Sequence, residues 1–174
     1  MFSPMGNEIV SNFVGQCKQK KLQLYSTETV RDEATQRFPT IVNRYFDKVG
    51  VRAHVARMSL YAKFWRRLMD LFKCCKVEKV EAAPSKIRAM YRDFSREPAL
   101  LKILKQLQAE KHRKSLFPGE TDMQILAEAD KLGEKFNVSF ITDDHDFLYF
   151  KNEIESRLRI RMTALLDLPH YFDK

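Results

Sequence analysis

The chain has 174 residues, of which 44% are hydrophobic and 31% are charged, a balance typical of a folded protein with one sizeable core. Its formal net charge of +8 favours a polyanionic partner such as nucleic acid. No apolar run approaches the roughly 20 residues that a membrane span requires, and the N-terminus lacks a secretory pattern. We therefore expect a cytoplasmic protein with no membrane partner.

The periodicity of apolar residues predicts alternating helices and strands. In chain order, these are a helix over 7–17, a strand over 22–26, a helix from 27 through 42, a helical middle over about 45–114, a helix over 120–132, a strand over 138–141, a helix over 147–157 and a last strand over 158–166. Strands that alternate with helices imply a mostly parallel sheet covered on both faces. Because no repeat or Gly/Ser linker divides the chain, we predict a single α/β domain over residues 1–174.

Basic residues are concentrated in the helical middle of the chain. Lys63, Arg66 and Arg67 lie beside an apolar stripe that runs through Phe64 and Leu68 at helical spacing. A basic helix face of this kind is suited to phosphate contacts, and it is also what an ordinary solvated face looks like. We predict that Lys63, Arg66 and Arg67 bind RNA.

Carboxylates are concentrated in the last third of the chain. Asp122 opens a predicted helix, and Asp143, Asp144 and Asp146 follow directly on the predicted strand over 138–141. Side chains at the carboxyl end of a strand in an α/β fold meet at one edge of the sheet, and carboxylate oxygens are the ligands that hard divalent cations prefer. The pattern predicts a divalent metal site.

Each of these carboxylates also has a purely structural interpretation. Thr121 with Gln124 three residues later forms a capping-box pattern, and an acid in the first helical turn is favourable, so Asp122 needs no ligand to explain it. Aspartate is also common in turns, which by itself would account for Asp143, Asp144 and Asp146. Their occurrence together, in this order and after an apolar strand, favours the metal interpretation.

Two segments together carry a resemblance to a known family. Asp122-Met-Gln-Ile-Leu-Ala-Glu-Ala, followed by an apolar strand and Ile141-Thr-Asp-Asp-His-Asp-Phe, resembles the second half of the PIN domain, a family of metal-dependent ribonucleases. The stretch from Leu22 to Glu33 resembles its second strand and the helix with an early glutamate, and Leu158–Met162 resembles its final strand. The resemblance implies a three-layer α/β/α fold with a mostly parallel sheet, in which residues 45–114 are a basic helical insertion.

The resemblance also implies which residues act. Glu33, Asp122 and Asp144 match the catalytic carboxylates of the family, and Asp146 matches a fourth metal ligand. Together they would bind Mg²⁺ or Mn²⁺, which activates a water to attack an RNA phosphodiester. Many members are toxins, so the partners expected beside RNA are an antitoxin, another protein or a second copy of this chain.

One departure from the family lies at the N-terminus. In PIN domains a first strand ending in an aspartate precedes the first helix, but here the predicted helix begins at Asn7 with no aspartate ahead of it. Either the natural start lies upstream of Met1, or the protein is a degenerate member that lacks one ligand. In the second case, the fold would serve as a catalytically inactive module that binds RNA or a protein.

Overall fold

Two compact units make up the chain in the computed structural model, which describes residues 4–172 and the side chains from Glu8 onward. Unit 1 comprises the described residues through Lys79 together with those from Leu168 onward, and unit 2 comprises Val80–Asp167. Within the described part of the chain, every helix is too short or too polar to cross a bilayer. The single domain predicted over residues 1–174 stays a prediction.

Unit 1 is mostly helical and contains one short sheet. Its elements are α1 (Pro4–Gln19), β1 (Tyr25–Thr27), α2 (Glu28–Lys48), α3 (His54–Cys74) and β2 (Lys76–Glu78). Strands β1 and β2 pair in parallel, with Tyr25 opposite Lys76. The early strand predicted over 22–26 is present, but it lies at Tyr25–Thr27, so residues 22–24 precede it. A second strand, β2, lies inside the stretch 45–114 that was predicted as wholly helical.

Local chemistry fixes both ends of α2. Thr27 has extended backbone angles, and its Oγ1 accepts a hydrogen bond from Val30 N at 3.4 Å, which satisfies one of the unpaired N–H groups of the first turn. At the other end, Gly50 has φ +73°, a left-handed conformation that glycine adopts without a steric cost. The helix therefore begins and ends where the sequence supplies a cap.

The core of unit 1 joins the apolar faces of α2 and α3. Phe38, Val42 and Phe46 recur every four residues on α2 and pack against Phe64 and Leu68, which have the same spacing on α3. This spacing places each set on one side of its helix. The basic side chains between them are left at the surface of α3.

Unit 2 contains the remaining helices and a second parallel pair of strands. Its elements are α4 (Ser85–Phe94), α5 (Pro98–Glu110), α6 (Glu120–Leu132), β3 (Val138–Thr142), α7 (His145–Leu148), α8 (Lys151–Arg157) and β4 (Ile160–Ala164), and a 3₁₀ helix (Leu165–His170) then leads back to unit 1. Strands β3 and β4 pair over five residues, with Val138 opposite Ile160 and Thr142 opposite Ala164. The strands predicted after residue 137 and after residue 157 are confirmed.

Seventeen buried residues form the core of unit 2, and they come from nearly every element of that unit. Tyr91 and Phe94 on α4 pack with Phe150, whose ring stacks on that of Phe94 at 5.2 Å. Leu104 and Leu107 on α5 are fully buried in the same cluster. Helices α4 and α5, which lie in the predicted insertion, are thus part of the core that also holds α6 and β3.

The predicted three-layer sheet is wrong in its continuity. A sheet is continuous where neighbouring strands exchange backbone hydrogen bonds, and the described strands do so only within the pairs β1–β2 and β3–β4. The described residues therefore form a mixed helix and strand structure with two short parallel sheets, which is compatible with the α/β class but lacks the single central sheet of a PIN domain.

Candidate functional site

The turn after β3 positions two carboxylates of unit 2. Thr142 ends the strand, and its Oγ1 accepts a hydrogen bond from Asp144 N at 3.0 Å. Asp144 then caps α7, because its Oδ1 accepts a hydrogen bond from Asp146 N at 2.8 Å. The side chains of Thr142 and Asp144 thus build the turn that holds Asp144 and Asp146 at the carboxyl end of a parallel strand.

Asp146 is the most deeply buried carboxylate of the site, with a side chain only 2% exposed. The Arg113 guanidinium approaches it with Nη1 at 3.0 Å from Oδ2 and Nη2 at 2.8 Å from Oδ1. The Tyr91 hydroxyl donates a hydrogen bond of 2.7 Å to the backbone carbonyl of Asp146. A buried charge is tolerated only when it is paired, and Arg113 supplies that partner.

Lys111 connects the two carboxylates. Its Nζ lies 2.5 Å from Oδ1 of Asp144 and 2.5 Å from Oδ2 of Asp146. Partial burial lowers the pKa of the Lys111 ammonium, but the hydrogen bonds to Asp144 and Asp146 outweigh this effect, and the pKa is raised above its usual range. Lys111 is therefore a cation shared between two carboxylates.

The end of α5 explains how both cations reach the site. Lys111 N donates to Leu107 O, and the next residue, His112, has the left-handed φ of +49°. Arg113 N then donates to Gln108 O at 3.0 Å, which reverses the chain over the last turn of the helix. This reversal brings Lys111 and Arg113 into contact with the carboxylates. Lys111 is 33 residues before Asp144, and Arg113 is 33 residues before Asp146.

Asp122 has a structural role and is also near enough to Tyr91 to act on it electrostatically. Its Oδ2 accepts a hydrogen bond from Gly119 N at 3.1 Å, so it closes the first turn of α6, which Gly119 caps in place of the predicted Thr121. Burial raises the pKa of the Tyr91 hydroxyl well above its usual value, and the negative charges of Asp146, Asp144 and Asp122 raise it further. All three carboxylates thus act on one hydroxyl.

The remaining predicted ligand, Glu33, belongs to unit 1. It lies on α2 with its side chain 18% exposed, and one of its oxygens is 2.9 Å from Nη2 of Arg37, one helical turn later. The structure therefore assigns three of the four predicted carboxylates to unit 2 and the fourth to unit 1. The participation of Glu33 in a common site stays a prediction.

Lys63, Arg66 and Arg67 also lie in unit 1, where all three are exposed on α3. Their exposure agrees with both interpretations of the sequence, an RNA-binding face and a solvated face. Asp143, by contrast, has an evident structural contact, because its Oδ1 accepts a hydrogen bond from Leu165 N at 3.0 Å. Asp143 therefore anchors the end of β4.

Two carboxylates of the site, Asp144 and Asp146, have the donor chemistry that hard divalent cations prefer. Over the residues whose side chains the structure describes, no three His, Cys, Asp or Glu side chains form a group arranged to hold a metal. Asp144 and Asp146 do, however, already share one cation, the Lys111 ammonium, and Asp146 Oδ1 is buried without an aligned hydrogen bond despite its ion pair with Arg113. Carboxylates that share an ammonium can share Mg²⁺ or Mn²⁺ instead.

Sequence reasoning missed Tyr91, Lys111 and Arg113. Tyr91 gives no signal, because it sits in the apolar pattern of α4. Lys111 and Arg113 do give one, since the run Lys111-His-Arg-Lys directly precedes the acidic motif and so places cations near it along the chain. Comparisons of the chain with models of protein families, with curated proteins and with solved structures found no match.

Replacing Tyr91 by phenylalanine tests the hydrogen bond to Asp146. We expect the unfolding free energy to fall by about 1 kcal/mol at neutral pH, because the buried carbonyl of Asp146 loses its donor. Above about pH 10, where the tyrosine of the unfolded chain loses its proton but folded Tyr91 keeps it, the wild-type protein should lose stability that the variant retains.

Urea unfolding at pH 7 and in this alkaline range, on the wild type and on Tyr91→Phe, measures both effects. Tyr149→Phe is the matched control because the Tyr149 side chain is exposed. A gap between wild type and Tyr91→Phe that stays constant as the pH rises would contradict the raised pKa.

Proposed function

We propose that this chain is a metal-dependent endoribonuclease of the PIN type, which hydrolyses RNA phosphodiesters at Asp122, Asp144 and Asp146. The observation that supports this proposal most is the shared cation between Asp144 and Asp146 at the carboxyl end of β3. These are two of the residues that the motif designates as ligands, and the contact with one ammonium means that their oxygens face a common point. The net charge of +8 is in keeping with an RNA substrate.

In this proposal, the unit 2 carboxylates Asp144, Asp146 and Asp122 would hold Mg²⁺ or Mn²⁺. The bound ion supplies a Lewis acid that polarises the phosphate and lowers the pKa of the attacking water. Arg113 pairs with the buried Asp146 through both Nη atoms and fixes the orientation of its carboxylate. Tyr91 holds the backbone at Asp146, so the two side chains together fix the position of this ligand.

Cleavage of single-stranded RNA by the purified full chain tests the proposal. We expect cleavage with Mn²⁺, none after addition of a chelator, and a loss of about two orders of magnitude or more for Asp144→Asn. Asparagine caps a helix as well as aspartate does, so this variant keeps α7 while it removes the charge. Asp143→Asn is the matched control, and wild-type cleavage by Asp144→Asn would refute the assignment.

A second candidate is a catalytically inactive PIN-like module that binds RNA or a protein partner, such as an antitoxin. The observation that favours it is the presence of two cations, Lys111 and Arg113, on the carboxylates of Asp144 and Asp146. If these ion pairs are permanent, Asp144 and Asp146 are not available to a metal. RNA binding without cleavage at any concentration of Mn²⁺ would support this candidate over the first.

The exposed basic face of α3 leads to a separate prediction. We expect replacement of Lys63, Arg66 and Arg67 by glutamine to weaken RNA binding. It should also reduce the slope of log affinity against log salt concentration by about 2, because each phosphate contact on a single strand contributes about 0.7 to that slope. Fluorescence anisotropy with a labelled RNA over a salt series measures this slope. A variant with the same charge change at exposed Lys102, Lys105 and Lys135 is the control, and equal slopes for the two variants would exclude a specific role for α3.

A further inference from the structure

The two cations of the site are held in different ways. Arg113 is 16% exposed, and its two Nη atoms face the two carboxylate oxygens of Asp146 alone. Lys111 is 34% exposed and reaches both Asp144 and Asp146 through its single Nζ atom. Arg113 is thus the fixed partner of one buried carboxylate, whereas Lys111 is a partly solvated cation that two carboxylates share.

The chemistry of the two side chains makes one of them displaceable. A guanidinium presents a rigid planar fork, so Arg113 would lose two contacts at once and leave Asp146 buried without a counterion. Lysine carries a compact, strongly hydrated charge on a flexible four-carbon stem, and Asp144 is itself 33% exposed to water. Lys111 can therefore leave for solvent without a change in the backbone.

Without a cation between them, Asp144 and Asp146 would repel each other. Like charges at short distance repel, and a positive charge that lies between the two carboxylates offsets that repulsion. Lys111 supplies this charge in the metal-free chain, and a divalent ion would supply it in the metal-bound chain. Both cannot occupy the same position between the two carboxylates.

We propose that Lys111 is an internal counterion that holds Asp144 and Asp146 together in the metal-free protein and is displaced into solvent when a divalent cation binds between them. This inference rests on the proposed function, because it takes the two aspartates as ligands of Mg²⁺ or Mn²⁺. It adds that the metal affinity of the site is set by exchange with an ammonium from the chain itself, and that Arg113 stays in place during the exchange.

Chemical labelling of the wild-type protein tests the displacement directly. Lysines are acetylated with an amine-reactive ester in the absence and in the presence of saturating Mn²⁺, and the extent at each site is measured by mass spectrometry. We expect the labelling of Lys111 to rise several-fold with Mn²⁺, because its ammonium leaves two carboxylates for water. Lys114, exposed and three residues away, is the internal control, and its labelling should not change.

Titration of Mn²⁺ by calorimetry tests the exchange. The Lys111→Met variant, which keeps much of the apolar stem and removes the competing charge, should bind Mn²⁺ about tenfold more tightly than the wild type. Lys114→Met makes the same change in net charge at a solvated site, so it should shift the affinity by about twofold or less. Near-UV circular dichroism checks that both variants are folded. If Lys111→Met does not fold, the labelling of the wild type alone decides whether the ion displaces Lys111.

The outcomes separate this inference from the proposed function. If Mn²⁺ binds to the wild type and to Lys111→Met with equal affinity, and the labelling of Lys111 is the same with and without the ion, the displacement is refuted while the metal-dependent function stands. If neither the wild type nor Lys111→Met binds Mn²⁺, both are refuted. Binding by Lys111→Met with none by the wild type would support Lys111 as the competing cation.

Discussion

An Asp146→Ala protein is expected to lose about 3 kcal/mol of unfolding free energy, the lower end of the range for removal of one partner from a buried ion pair. Asp146 is 2% exposed, and Arg113, its partner through two contacts, is 16% exposed. The substitution leaves the guanidinium in a region from which water is largely excluded. The lower end applies because Lys111 keeps its contact with Asp144 and has water at a third of its surface.

Urea unfolding of the full chain measures this loss, and two further variants interpret it. Asp143→Ala removes a neighbouring carboxylate whose one described contact is an exposed hydrogen bond to Leu165 N, and it should cost about 1 kcal/mol or less. The double variant Asp146→Leu/Arg113→Met replaces both charges by apolar groups and should be more stable than Asp146→Ala. A double variant that is less stable than Asp146→Ala would show that the loss has another cause.

A Gly133→Ala protein should be destabilised by about 3 kcal/mol, because a methyl group has no room at this position. Gly133 follows α6, and a Cβ built on it would lie 2.1 Å from the carbonyl oxygen of Arg159 and 2.8 Å from the Cβ of that residue. The φ of Gly133 is −62°, which alanine adopts freely, so the backbone conformation is not the obstacle. The obstacle is the backbone of Arg159, directly before β4, which cannot move without disturbing the pairing with β3.

Thermal and urea unfolding measure the effect, and Gly15→Ala supplies the matched control. Gly15 lies inside α1, and a Cβ there would meet no atom within 4 Å. Its replacement by alanine should raise the stability by about 0.5–1 kcal/mol, since glycine is the poorer helix former. Equal and small changes for the two variants would contradict the close approach of α6 and β4.

The turn that carries Asp144 and Asp146 could be predicted from the sequence because its chemistry is local. The Thr142 hydroxyl accepts from Asp144 N and the Asp144 carboxylate accepts from Asp146 N, so the geometry of the turn follows from residue types and spacing alone. Strands β3 and β4 were predicted for a similar reason, since each is an apolar run bounded by polar residues. The site was therefore located before its partners were known.

The partners of these carboxylates could not be predicted, because the contacts are long-range. Lys111 and Arg113 reach the site through a left-handed residue at His112, which no pattern in the sequence indicates. Strand β2 was missed because three residues, Lys76–Glu78, are too few for an alternating pattern, and the register with β1 joins residues 25 and 76. The predicted single sheet failed for the same reason, since strand pairing is set by tertiary packing.

The sequence by itself determined the helices and strands outside the middle of the chain, the carboxylate turn after β3 and the basic character of α3, because each depends on residues close together in the chain. Only the tertiary structure decided that Asp144 and Asp146 share Lys111, that Arg113 pairs with the buried Asp146, and that Glu33 belongs to a different unit from the other carboxylates. These contacts depend on which distant residues meet when apolar faces are buried, and burial, unlike spacing, is a property of the whole fold.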